Sequence, residues 1–335
     1  MDNQEHPFAQ YIRILGKGKR GSRGLTQDEA YESMRMILNN EVEACQLGAF
    51  LMLLRVKEET PEEVAGFVKA TQDSFVLPEK IPQVDLDWSS YAGKRRHLPW
   101  FILSALLLAD NGIKVFMHGA EGHTAGRVYT RDTLELLGIP ISTSLEDAGL
   151  QLETGNFAYL PLQFMSPVMH EIIQMRPLLG LRSPVHTVAR MFNPFKAQFE
   201  IQGIFHPPYQ NTHQHAAQLL NQPHIAVLKG EGGEIERNPD QAVLVKYVHD
   251  GVLSEEEWPA MFRGPRHLKD QSMDTHRMLD VWSGNDTDEY AIAAITGTAA
   301  IALRLLGKAD TQQAAQEIAK QMWQTRNLKR FDKAA

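Results

Sequence analysis

From residue 83 onward, short apolar segments recur between stretches with helical spacing, and this alternation constrains the fold more than any other feature. The segments are QVDLDW, IKVFMHG, FAYLP, FEIQGIF and HIAVLKG, each five to seven residues long. They are too short for helices and rich in β-branched and aromatic residues, so they read as strands. Strand, helix, strand at that interval predicts a mostly parallel sheet covered by helices, because parallel neighbours need a crossover. The first seventy-odd residues follow a different rhythm. Thr26 with Glu29 in TQDEAYESMRMILNN makes a capping box, and Thr60, Pro61 and Glu63 repeat the device. Between them, CQLGAFLMLLRV is apolar on most sides, which predicts a helix inside a small bundle with Cys45 as a small core residue. LPEKIPQ (77–83) reads as a linker. One helical insertion, MSPVMHEIIQMRPLLGLRSPVHTVARMF, interrupts the alternation and is expected to pack back on the bundle; the tail from about 287 is again helical. The expected fold class is therefore α/β: a small N-terminal helical bundle over 1–77, completed by about 166–195, and a large α/β domain over 83–165 and 196–335.

An apolar fraction of 43% fits a globular chain, and no run approaches the roughly 20 residues of a membrane span. The polar start MDNQEHPFAQ lacks the order of a signal peptide, and the single cysteine suits a reducing compartment, so a cytoplasmic location is expected. The formal net charge is −7, yet the basic residues are grouped. ILGKGKRGSRG sets Lys17, Lys19, Arg20 and Arg23 between four glycines, and YAGKRRH puts Lys94, Arg95 and Arg96 directly after a strand. Arg127 and Arg131 follow HGAEGHTAG, and Arg176, Arg182, Arg190 and Lys196 lie in an acid-free stretch of the insertion. Loops beyond the carboxyl ends of parallel strands converge on one crevice. Glycine amides, helix starts and arginine forks there all suit phosphate oxygens. Each group alone also fits an ordinary solvated surface. His206, His213 and His215 in FHPPYQNTHQHAAQ do not share a helix face and read as loop and helix-start residues rather than metal ligands.

Several landmarks occur in a fixed order: HG at 118–119, TLELLG at 133–138, MRPLLGLR at 175–182, NP at 193–194 and KGEGGE at 229–234. With them the chain resembles the anthranilate phosphoribosyltransferases over nearly its whole length. The resemblance implies a helical domain hinged to a phosphoribosyltransferase-like α/β domain, and a homodimer formed through the helical domain. It also shows departures. The family's GTGGD loop, which cradles pyrophosphate, aligns with WSSYAG, bringing Trp88 and Tyr91; KHGNR becomes MHGAE, with Met117 and Ala120; and the magnesium-binding Asp-Glu pair falls at GGEIE, leaving Glu234 followed by Ile235. Arg176 matches the arginine that contacts the anthranilate carboxylate, and Arg182 a second one. This pattern looks like the YbiB-like branch, whose members bind nucleic acid without evident sequence preference. The expected function is thus sequence-independent binding of single-stranded DNA or RNA in a basic groove. Lys17, Lys19, Arg20, Arg23, Lys94, Arg95, Arg96, Arg127, Arg176, Arg182 and Arg190 would meet phosphates while Tyr91 stacks on bases, with no catalytic residue and no cofactor. The alternative is phosphoribosyl transfer from phosphoribosyl pyrophosphate, with magnesium at Glu234.

Overall fold

All five expected strands form: β1 (Leu86–Ser90), β2 (Val115–Gly119), β3 (Phe157–Pro161), β4 (Phe199–Ile204) and β5 (His224–Lys229). The computed structural model describes residues 5–270 and 272–332, so Met1–Gln4 of the polar start lie outside the described residues. The five strands run parallel in the order β3-β2-β1-β4-β5. Two more, β6 (Val243–His249) and β7 (Val252–Trp258), extend the sheet antiparallel. Asp250 and Gly251 join them with φ of 48° and 79°, the two left-handed positions that an Asp-Gly hairpin turn requires.

β1, β2 and β3 are buried along their whole length, as expected where helices cover both faces of a parallel sheet. The helix Trp100–Asp110 is apolar all round, and its residues from Trp100 to Ala109 are buried. It packs against the helix Glu289–Leu305 within the core of the α/β domain.

The bundle comprises Ala9–Gly16, Gln27–Leu38, Ala44–Lys57 and Pro61–Asp73, and both capping boxes form. A Cβ on Gly66 would lie 2.3 Å from the carbonyl of Gln27, so the helices carrying these residues can approach this closely only at glycine. The insertion returns to the bundle through Pro167–Gln174 and Val185–Val188. One expectation is corrected. The helix Ala44–Lys57 buries only Phe50, Leu51 and Leu54, and Cys45 is exposed. Although apolar on most sides, this helix meets neighbours along one face, and Leu47, Met52 and Leu53 are only half-buried.

The helix Pro208–Leu219 packs on β5 and β6 and also on Pro61–Asp73, so bundle and sheet share a second core. Because β1 has β2 on one side and β4 on the other, the strand order reverses at β1/β4. The crevice outside their carboxyl ends is where open α/β sheets place ligands. Among the described residues, no helix is long and apolar enough to cross a membrane.

Candidate functional site

The segment after β5, Gly230–Arg237, carries three glutamates, and each lands on a backbone position suited to an anion. Glu234 is fully buried. Its Oε1 accepts from the amides of Ala92 and Gly93, both at 2.6 Å, and its Oε2 accepts from the Ser90 hydroxyl at 2.9 Å. Glu231 Oε1 accepts from the amides of Arg95 and Arg96 at 3.2 and 2.7 Å. Glu236 Oε2 accepts from the amide of Phe101 at 3.0 Å, in the first turn of Trp100–Asp110. Amides of a tight loop and a helix start attract anions because their partial positive charges converge. Here the chain supplies those anions itself. The backbone follows a close path to do so: a Cβ on Gly230 would sit 1.7 Å from the carbonyl oxygen of Glu234.

Lys94 completes this arrangement. Its Nζ is 2.5 Å from Glu236 Oε1 and 3.0 Å from Glu231 Oε2, and the residue is buried. Burial alone would favour discharge of the ammonium, but the two carboxylates more than offset it and hold its pKa above the usual lysine value. Lys94 is therefore not the free phosphate-binding cation expected from YAGKRRH. Tyr91 is corrected likewise. It is fully buried, and its hydroxyl lies 2.6 Å from Nδ1 of His118, whose Nε2 lies 3.1 Å from Oδ1 of the buried Asp87. A side chain sealed in this way offers no stacking face. Trp88 is also in the core. Arg95 and Arg96 do expose their side chains, on a loop pinned by Glu231.

The second feature is a cluster of four arginines. Arg127 donates to the carbonyls of Ala92 and Gly93 at 2.8 and 3.1 Å. Arg176 donates to the His123 carbonyl at 3.1 Å and to the Thr124 hydroxyl, which Arg182 also reaches at 3.4 Å. Arg190, buried, donates to the His186 carbonyl. No carboxylate of the described residues pairs with any of these four guanidiniums within 4.0 Å. Glu234 is near enough to act on Arg190 electrostatically. The crowding is felt by its members. Burial, then Arg190, Arg127 and Arg176, lower the Arg182 pKa to about 10. Burial and Arg182 push His123 down to about 3, and burial with His123 and Arg182 holds His186 well below the usual histidine range. Uncompensated positive charge at a partly buried site is costly without an anion.

The basic loop rests on the helical bundle. Lys17, Lys19, Arg20 and Arg23 are exposed, although Arg23 pairs with Glu29 at 2.6 Å. A Cβ on Gly24 would lie 3.3 Å from the Thr60 side chain, and Arg55 and Glu59 of the preceding turns line the same cleft as Arg182 and Arg190. The structure thus gathers Arg127, Arg176, Arg182 and Arg190 and removes Lys94 and Tyr91 from the set. Sequence reasoning missed the Asp87–His118–Tyr91 chain and the capture of the amides by Glu231 and Glu236. The spacing of acids in KGEGGEIE, beside a strand end, was the available signal.

The magnesium expectation at Glu234 does not fit this geometry. Both of its oxygens accept protein hydrogen bonds, and both oxygens of Glu236 are likewise engaged, by Lys94 and Phe101. Among the described residues, no three His, Cys, Asp or Glu side chains converge to hold a metal. His213 is buried, with Nδ1 2.6 Å from Gln202, and His215 lies against the Asn211 carbonyl.

Residues 9–75 match the helical bundle domain of a glycosyl transferase family, and residues 102–326 match its a/b domain. The chain belongs to this family. Within it, the chain is an anthranilate phosphoribosyltransferase-like member. It is similar to an uncharacterized protein of Aquifex aeolicus, 32% identical over 73% of this chain and 74% of that one. It is also similar to the anthranilate phosphoribosyltransferase of Geobacillus kaustophilus (26%, covering 89% of each) and to the uncharacterized protein YbiB of Escherichia coli (27%, covering 72% of this chain and 76% of that one). The fold matches the anthranilate phosphoribosyltransferase of Thermus thermophilus with a TM-score of 0.79 at 22% identity, covering 95% of this chain and 94% of that one. It also matches the Saccharomyces cerevisiae enzyme in complex with PRPP and Mg, with a TM-score of 0.75 at 17% identity, covering 98% and 97%.

Proposed function

We propose that this chain binds the phosphates of a nucleic acid strand along the arginine-lined cleft, on a phosphoribosyltransferase scaffold whose small-molecule cradle is filled by its own glutamates. The observation that carries this reading is the set of Arg127, Arg176, Arg182 and Arg190, none of them paired to a carboxylate among the described residues. The exposed Lys17, Lys19 and Arg20 extend positive charge along the bundle side. Phosphate contacts position a strand without reading its sequence, and counterion release supplies the affinity. Single-stranded DNA titrated at several salt concentrations tests it. Engaging the four arginines gives a log–log slope of about −3, at about −0.7 per phosphate. Absence of binding at about 50 mM salt refutes the reading.

A second reading, phosphoribosyl transfer to an aromatic amine, is favoured by the relatives of stated activity, which are anthranilate phosphoribosyltransferases. It also keeps Arg176 and Arg182 in the role that the resemblance implies for them. It requires Gly230–Arg237 to withdraw Glu234 and Glu236 before a diphosphate and magnesium could use the amides of Ala92 and Gly93. Turnover of anthranilate with phosphoribosyl pyrophosphate and magnesium, followed by the loss of anthranilate fluorescence, decides for this reading; absence of turnover decides against it.

A further inference from the structure

The connection from β7 to the helix Arg277–Ser283, residues 259–276, holds no helix or strand among its described residues. Loops longer than about 12–15 residues without secondary structure are uncommon in compact domains and are usually functional. This one is anchored at both ends. The amides of Met261 and Phe262 donate to the Pro239 carbonyl at 2.8 and 3.3 Å, and the Asp270 amide donates to the Arg96 carbonyl at 2.9 Å. Between the anchors every residue from Arg263 to Lys269 is exposed, so this arm is held in place without being covered. It carries Arg263, Arg266 and Lys269 and no acid.

The arm lies against the loop after β1. Asp270 Oδ2 accepts from the Leu98 amide at 2.8 Å. His97 stacks on Tyr290 with ring centres 4.3 Å apart, and His267 packs on the same ring at 5.4 Å. The exposed Arg95 and Arg96 are thereby neighbours of the arm's three cations. Among the described residues, no carboxylate lies within 4.0 Å of any of these five side chains. The acids that anchor the two loops are committed to other groups. Both oxygens of Asp240 bond His267, Asp270 also pairs with Arg277, and Glu231 holds Lys94 and the amides of Arg95 and Arg96. The loop after β1 also begins at the arginine cluster, because Arg127 donates to the carbonyls of Ala92 and Gly93. Three residues span at most about 11 Å, so positive charge continues from the cleft to Arg96 and onto the arm.

We propose that the arm 263–269, with Arg95 and Arg96, is a second contact surface for a single nucleic acid strand leaving the cleft. A row of separate, exposed cations suits the repeated phosphates of a polymer, whereas one small anion needs convergent donors. Leu268, 89% exposed on the arm, offers a base an apolar contact; one leucine supplies too little apolar area for stable anchoring in lipid. The choice of a nucleic acid strand as partner rests on the function proposed above.

The test is titration of the full chain with a single-stranded oligonucleotide of about 25 nucleotides, longer than the ~4–16 that one binding face covers, at several salt concentrations. The wild-type log–log slope should be steeper than the cleft's own by up to about 3.5, five phosphates at about 0.7 each. Arg263→Gln with Arg266→Gln and Lys269→Gln should flatten it by about 2. The urea unfolding midpoint should not move, because all three side chains are exposed and unpaired. An unchanged slope in this triple variant overturns the arm and leaves strand binding by the cleft standing. If the triple variant loses the slope while Arg182→Met binds as well as wild type, the arm stands and the cleft reading falls. If wild type binds no strand at about 50 mM salt, both fall. Vesicles of phosphatidylcholine with phosphatidylserine are the second probe: vesicle binding lost in the triple variant, with the strand slope unchanged, assigns the arm to a membrane surface and overturns the proposal.

Discussion

Glu234→Ala is the most informative single change, because it separates a carboxylate that plugs an anion cradle from one that merely fills space. In the native chain this side chain satisfies two amides and one hydroxyl with no exposure to solvent. Each donor left unsatisfied costs about 1–3 kcal/mol, so the two stranded amides alone should cost the alanine variant roughly 2–6 kcal/mol. Glu234→Gln should lose much less, about 1–2 kcal/mol. Its amide oxygen can still accept from Ala92 and Gly93, and its nitrogen can donate to Ser90 Oγ. The Ser90 hydroxyl proton can then turn to Thr130 Oγ1, 2.6 Å away. Urea unfolding followed by tryptophan fluorescence measures both losses. Inorganic phosphate supplies the second half of the experiment. Wild type should gain some stability from phosphate through its arginines, but the alanine variant should gain more, because its emptied cradle can now take the ion. A ligand at a hundred times its dissociation constant contributes about 2.7 kcal/mol. Equal stability of the alanine and glutamine variants, or an equal phosphate gain in wild type and Glu234→Ala, would refute the cradle assignment.

Lys94→Met should destabilise the fold by about 3–5 kcal/mol, since it strands Glu236 and Glu231 without their cation. Arg95→Glu with Arg96→Glu should leave the unfolding midpoint almost unchanged and reduce strand affinity, a contrast that parallel unfolding and binding titrations check. Tyr91→Phe should cost about 1 kcal/mol by removing the partner of His118 Nδ1, with no change in DNA affinity; a loss of affinity at unchanged stability would show that the hydroxyl meets the strand. His213, pushed down to about 3 by burial, is neutral in the folded chain. Below about 6.5 it is protonated in the unfolded chain, so its contribution is present above that pH and is lost as pH falls toward 3. Between pH 7 and pH 5 that loss is roughly 2 kcal/mol. His213→Gln should therefore gain by that amount on wild type over this interval, while the other titrating groups cancel in the comparison. An unchanged difference in urea stability would show that His213 is not held neutral.

The parallel sheet was legible because its evidence is local. Five buried strands each declare themselves by an apolar run, and the helices between them by their spacing. The same is true of Thr26 and Thr60, whose capping partners lie three residues away. The β6–β7 hairpin was legible in principle from VHDGVL, but its strands alternate less cleanly: Lys246 stands among the apolar residues of β6 and three consecutive glutamates fall in β7. The site was legible only as a list of residue types. Arg176, Arg182 and Arg190 share an acid-free stretch and do come together. Lys94 stands beside Arg95 and Arg96 in sequence yet has a different fate, because its partners Glu231 and Glu236 arrive from more than 130 residues away. No property of YAGKRRH itself reports that pairing. Helix Ala44–Lys57 fails in the opposite sense, since an all-round apolar pattern does not say how many faces find a neighbour.

The same long-range pairing accounts for how an acidic chain can present a positive site. A formal charge of −7 counts Glu231, Glu234 and Glu236 as though they acted outward. Glu234 and Glu236 are instead buried, and all three are committed to amides and to Lys94, so much of their field is spent on the backbone of the loop after β1. Arg127 is bound to the carbonyls of that loop, and among the described residues no carboxylate pairs directly with any of the four arginines. Closing the cradle and leaving the arginines open are thus linked consequences of where Gly230–Arg237 runs. Were Glu234 to swing toward the cleft, Arg190, on which it already acts, would be a cation it could pair with. Amides and arginines would then exchange their anion, so a ligand held by the arginines opposes that swing and favours the closed cradle. Phosphate binding in the cleft should accordingly protect the amides of Ala92 and Gly93 from hydrogen exchange in wild type. In Glu234→Ala that protection should persist only when phosphate also occupies the cradle itself.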